Sequence, residues 1–111
     1  MGLPMNRLRL SPLAQDDLLE IKDYIERELL NPDAALKTVG EITHKLRLLE
    51  EHSDIGAPVS TSIRFATDER FLVCGKYIAF YHVLPGIVYI DRVLYGKRDY
   101  KNLLLGREKG Q

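Results

Sequence analysis

At 111 residues, 45% apolar and 29% charged, the chain is expected to form one domain, residues 1–111, around one modest core. Sixteen acids against sixteen bases leave no net charge, which argues against a protein that works by contacting many phosphates. No apolar run approaches the roughly 20 residues that span a bilayer, and the first residues lack the apolar core of a secretory signal, so no membrane partner and a cytoplasmic location are expected.

The charge is unevenly spread. Residues 16–51 carry ten acids and five bases, whereas residues 92–111 carry six bases and two acids, a local balance of +4. The basic end leaves room for one local anionic partner. Cys74 is the only cysteine; it ends the apolar run Phe71-Leu72-Val73-Cys74 and reads as a packing residue in a reducing compartment.

Residues 6–10 alternate polar and apolar, a short strand signal with Leu8 and Leu10 on one side. Ser11-Pro12 then supplies an N-cap followed by proline at the first helical position, where the missing N–H costs nothing. Ala14, Leu18, Ile21, Ile25 and Leu29 follow as an apolar stripe, with Asp16, Asp17, Glu20, Asp23 and Glu26 on the other faces. Asn31-Pro32 repeats the device, and Ala35, Val39, Ile42, Leu46 and Leu49 form a second stripe. Helices over 12–29 and 32–51 are predicted, and so short a connection makes them an antiparallel hairpin.

Ile55-Gly56-Ala57-Pro58 reads as turn or loop, and Ile63-Arg64-Phe65 as a short edge strand. Three apolar runs follow, residues 71–74, 77–84 and 87–95, separated by the turn pairs Gly75-Lys76 and Pro85-Gly86. The last run is nearly continuous, as expected for an interior strand. Tyr100 and Leu103-Leu104-Leu105 offer a further short strand or helical turn. The predicted class is α+β: an N-terminal strand, an antiparallel α-hairpin on one face of a small, mainly antiparallel C-terminal sheet, in the order β-α-α-β-β-β. The first strand should pair within that sheet.

Several phrases in this order resemble the ParE/RelE superfamily of bacterial toxins. They are Leu10-Ser11-Pro12-Leu13-Ala14 with Asp16-Asp17-Leu18 and Ile21, then Asn31-Pro32 with Ala34-Ala35, then Ile42, Leu46 and Gly56. Arg70-Phe71-Leu72, Gly75-Lys76-Tyr77-Ile78 and Phe80-Tyr81 continue them, and the phrase from Ile90-Asp91-Arg92 to Tyr95-Gly96-Lys97-Arg98-Asp99-Tyr100 closes them. The resemblance covers about residues 8–105. It implies the toxin of a type II toxin–antitoxin pair, of the kind associated with plasmid stabilisation, neutralised by a cognate antitoxin that wraps it. ParE-like members block DNA gyrase, and RelE-like members cut messenger RNA on the ribosome. The long hairpin and the closing phrase look closer to ParE. A toxin of this type is expected to expose an apolar surface covered by the antitoxin or by a second copy in a homodimer. A degenerate toxin that only pairs with its antitoxin is a further alternative.

Cutting RNA through its 2′-hydroxyl needs a base, an acid and cations at the phosphorane. Arg64, Arg70, Arg92, Lys97 and Arg98 are available cations. RelE-like nucleases carry a tyrosine or histidine beyond the basic pair, and the matching position here is Leu104. Arg70, Tyr95, Arg98 and Tyr100 are the residues left to an RNase reading.

Arg92 interrupts Val88, Ile90 and Leu94 on one predicted strand face, where a charge is costly unless paired. Asp91 points to the opposite face and cannot neutralise it. Arg92 therefore pairs with an acid elsewhere or binds a target at the sheet surface. Lys97 and Arg98 divide between a solvated turn and the same target-binding surface. His82 alternates with Phe80 and Ile78 and reads as a packed residue, or else a general base with no carboxylate at a telling spacing. His44 and His52 have no ligand cluster between them. No zinc motif, phosphate-binding glycine pattern or Ser-His-Asp arrangement is present, so neither a metal nor a cofactor is expected.

Overall fold

The computed structural model describes residues 6–59 and 68–96. β1 (Arg7–Leu10) leads into α1 (Pro12–Leu29) and α2 (Pro32–Arg47), which a 3₁₀ turn, Leu48–Glu50, extends. The short strand β2 (Ala57–Pro58) precedes β3 (Arg70–Cys74), β4 (Tyr77–Leu84) and β5 (Ile87–Tyr95). Among the described residues these strands form one sheet in the order β1-β5-β4-β3-β2, with β1 parallel to β5 and the other pairs antiparallel. The expected α+β class and element order are thus observed.

Both helices begin as the sequence predicts. The Ser11 and Asn31 side chains accept from the amides of Ala14 and Ala34, satisfying N–H groups that have no partner within the helix. Leu30 takes a left-handed conformation (φ 51°) to turn α1 into α2. The second helix stops at Arg47, not residue 51, because its last turn tightens to 3₁₀. Leu49 still reaches the core.

One core lies between the hairpin and one sheet face. Ala14, Ile42, Leu46 and Leu49 meet Leu72, Cys74, Ala79, Tyr81, Val88, Ile90 and Val93, with Leu18 and Ile21 packed at its margin. Two expectations need correction. Leu29 is 64% exposed, since the stripe leaves the sheet by the last turn of α1. Asp17, assigned to the polar side of α1, is buried.

The third correction concerns β5. Tyr81 faces Ile90 while Phe80 faces Arg92, so Asp91 is an extra residue, a β-bulge. Alternation resets there. Val93 takes the core position that unbroken alternation assigns to Leu94, and Leu94 is only half-buried. The residues expected as turn or loop also yield β2, whose Pro58 suits an edge strand. Residues 63–65, Arg64 included, lie outside the described residues, as do Lys97, Arg98, Tyr100 and the leucines 103–105.

Candidate functional site

The bulge at Asp91 organises two groups of polar side chains. The first sits where β1 ends, opposite Ile90, leaving the rest of that edge of β5 without a strand among the described residues. The beginning of α1 supplies partners instead. Ser11 donates its amide to the Ile90 carbonyl (2.9 Å) and its hydroxyl to the Asp91 carbonyl (2.8 Å). Asp17 accepts the Val93 amide at 2.8 Å and, through both carboxylate oxygens, Nε and Nη2 of Arg92 at 2.9 Å each. That fork geometry and the charge make these strong bonds. The hydrogen bond to Asp17 raises the Arg92 guanidinium above its ordinary value, further securing its charge. The pair with a distant acid that the sequence offered for Arg92 is observed.

The second group lies on the sheet face away from the helices. His82 alternates with the core residue Tyr81 and so points to that face. Its Nδ1 is 2.8 Å from Oδ2 of Asp91 and 3.9 Å from Oε1 of Glu69. Glu69 also hydrogen-bonds Asp91; burial first, then that bond and the Asp91 charge, push its carboxyl up to about 8. At neutral pH Glu69 is therefore the proton donor of the carboxyl pair. The His82 ring is tilted against Tyr89, with centroids 5.3 Å apart.

Along the chain His82 has no carboxylate at a telling spacing, because its partners lie on neighbouring strands. The signal lies across the sheet. Counting back from the Gly75-Lys76 turn sets Cys74 opposite Tyr77 and Arg70 opposite Tyr81, which puts Glu69 beside His82. Tyr89 faces His82 across the next hairpin, and Asp91 lies two residues further on the same strand face.

The RNase candidates are dispersed. Arg70 donates Nε to the Gly56 carbonyl (3.0 Å) and Nη2 to the Asp54 carbonyl (3.2 Å), tying down the loop before β2. Tyr95 packs against Tyr77, with ring centroids 5.7 Å apart. Burial, followed by Tyr95 and Tyr24, pushes the Tyr77 phenol up. Tyr77 and His82 are five residues apart on β4, about 17 Å along the strand, so the tyrosine pair and the histidine cluster do not share a site.

An α-hairpin over a mainly antiparallel sheet, with Arg70 and Arg92 engaged in bonds that hold the fold, defines a small α+β domain of the RelE/ParE type. Residues 8–100 match the family described as ParE toxin of type II toxin-antitoxin system, parDE, and the chain belongs to that family. Among solved structures, the chromosomal ParDE TA system from P. aeruginosa is similar, with 24% identity and a TM-score of 0.69 over 84% of this chain and 98% of that one. The RelBE2 toxin–antitoxin complex from Mycobacterium tuberculosis is similar at 18% identity and a TM-score of 0.55, over 84% and 99%. At these identities the likeness speaks for the fold. A comparison with curated proteins finds no significant match.

Proposed function

We propose that this protein is a toxin that binds and inhibits DNA gyrase, does no bond-breaking chemistry of its own, and is held inactive by a cognate antitoxin in the cytoplasm. Membership of the ParE toxin family supports the toxin role. The observation that carries the choice of mechanism is the engagement of the cations. Arg70 is spent on loop carbonyls and Arg92 on Asp17, so neither is poised to meet a phosphorane. Tyr95 stands far along the sheet from the His82–Asp91–Glu69 cluster.

An antitoxin partner is supported by exposed apolar side chains on the hairpin, Leu13, Leu19, Tyr24 and Leu36, each more than half exposed. A homodimer is the other occupant that such a surface admits. For the target, the reading assigns Lys97 and Arg98 as the contacting charges, from the +4 balance of residues 92–111. No helix among the described residues is long and apolar enough to cross a membrane.

Two assays run side by side test the proposal. Purified toxin should abolish DNA supercoiling by gyrase and leave ribosome-bound messenger RNA intact. Cleavage of the message with supercoiling unchanged would establish the RelE-like alternative. No effect in either assay, with antitoxin binding retained, would mark a degenerate toxin.

A further inference from the structure

We infer that Glu69, His82 and Asp91 form a binding site for one divalent transition-metal ion, Zn2+ foremost, independent of whatever target the toxin engages. Glu69, just before β3, His82 on β4 and Asp91 on β5 converge on one sheet face, with one ligand atom of each lying within 4.8 Å of the others. Zn2+ binds imidazole nitrogen and carboxylate oxygen at about 2.0–2.2 Å, so a tetrahedral site needs donors about 3.3–3.5 Å apart. The separations from His82 Nδ1, 2.8 Å to Asp91 and 3.9 Å to Glu69, straddle that spacing. Small rotations of the two carboxyl groups bring both into range.

The surroundings suit a cation. With a neutral imidazole, the two carboxyl groups supply the charge that a dication neutralises, metal binding displacing the proton they hold. The side chains are 17% (Glu69), 28% (His82) and 29% (Asp91) exposed, shielded enough for strong attraction and open enough for entry. Glu69 also borders an open cleft beside Asp68 and Val83. The bulge sets the direction of Asp91, and the Tyr89 ring holds that of His82. One nitrogen and two oxygens favour Zn2+ over Mn2+ and Fe2+ by the general affinity order, while Mg2+ prefers oxygen alone.

Chelator-stripped full-length protein should be titrated with ZnCl2 by calorimetry, with MgCl2 as the control, and its Tm followed. One Zn2+ per chain is expected, with a rise in Tm of about 10 °C at 100-fold excess over Kd. His82→Ala should weaken binding at least 100-fold, and Glu69→Gln or Asp91→Asn at least tenfold. A His44→Ala/His52→Ala variant should bind as the parent does. Circular dichroism identifies any variant that fails to fold, and Co2+ absorption in the parent then reports whether nitrogen and oxygen ligands surround the ion. Failure of Zn2+ to bind, binding unchanged in His82→Ala, or binding lost in the His44/His52 variant would each overturn the site.

Discussion

Asp17 of α1 reaches across to β5 and holds Arg92 with both of its carboxylate oxygens, at 2.9 Å each, while accepting the Val93 amide at 2.8 Å. A helix side chain thus does on this edge what another strand would do, just past the end of β1. The carboxylate is buried, and the arginine is partly solvated. Replacing Asp17 by Ala leaves the Val93 N–H and a guanidinium short of partners, at a cost of about 3 kcal/mol in urea unfolding. Arg92→Ala should cost less, because the Val93 amide still satisfies Asp17. In the double variant the losses should fall short of additivity by about 1–2 kcal/mol. Strict additivity would mean that the two residues do not act as a pair.

Tyr81 and Gly56 make a second long-range tie. The Tyr81 hydroxyl donates to the Ser53 carbonyl and accepts the Gly56 amide, both at 2.9 Å. A Cβ on Gly56 would collide with that hydroxyl and stand 2.6 Å from the Phe71 carbonyl oxygen. Tyr81→Phe should cost about 1–3 kcal/mol through the buried Gly56 amide and the partly buried Ser53 carbonyl that it strands. Gly56→Ala should cost about 3 kcal/mol through overpacking against backbone that cannot yield. If the alanine variant keeps the parent's denaturation midpoint, the close approach is not what selects glycine.

The two helical stripes separate into residues that matter and one that does not. Ile42 is 2% exposed among core residues of the sheet. Truncation to Ala should cost about 2–5 kcal/mol. Leu29, a member of the α1 stripe by spacing alone, should change stability by less than about 0.5 kcal/mol when replaced by Ala. Equal losses at the two positions would contradict the packing described.

That contrast marks what was legible in the sequence. Ser11-Pro12 and Asn31-Pro32 announce helix starts through local chemistry, and Gly75 and Gly86, at φ 63° and 76°, announce hairpin turns in the same way. Local signals place such features because the cause lies within a few residues. Leu29 escapes because a stripe says which residues share a face, not where the sheet beneath ends. Asp17 escapes because its burial depends on Arg92, 75 positions away. Asp91 escapes because nothing in Ile90-Asp91-Arg92 marks an extra residue until β4 is laid beside it. The Glu69–His82–Asp91 cluster follows from register, which a careful count across both hairpins recovers.

Cys74 gives a simple probe of the whole fold. It is 4% exposed in the core, and its thiol is pushed up to about 11 chiefly by burial, with Lys45 opposing weakly. At pH 8 only about one molecule in a thousand then carries the reactive thiolate, against roughly a quarter for an exposed cysteine. Reaction with an aromatic disulfide reagent should be slow in the native protein and rise with the unfolding transition measured by circular dichroism. Fast labelling under native conditions would mean that the sheet opens locally at β3.

The last prediction concerns Lys97 and Arg98, which the proposed function assigns to target contact. The motivation is electrostatic: a protein with no net charge gathers six bases against two acids in residues 92–111. Arg92, counted among those bases, is already paired with Asp17, so Lys97 and Arg98 are the better test of the segment. Lys97→Glu/Arg98→Glu is expected to change thermal stability by under about 1 kcal/mol, the usual range for a charge outside a buried pair. Inhibition of gyrase supercoiling should fall by two orders of magnitude or more, because like charges set against a complementary patch cost several kcal/mol. Raising salt should weaken the parent's inhibition and leave the doubly reversed variant little affected. Growth inhibition and supercoiling inhibition that survive the reversal would make these residues a solvated turn, and the target surface would then have to lie elsewhere. Messenger cleavage by the parent on ribosomes would instead direct the search to Arg70, Tyr95, Arg98 and Tyr100, with Arg70→Ala checked first for loss of the loop that it ties to β3.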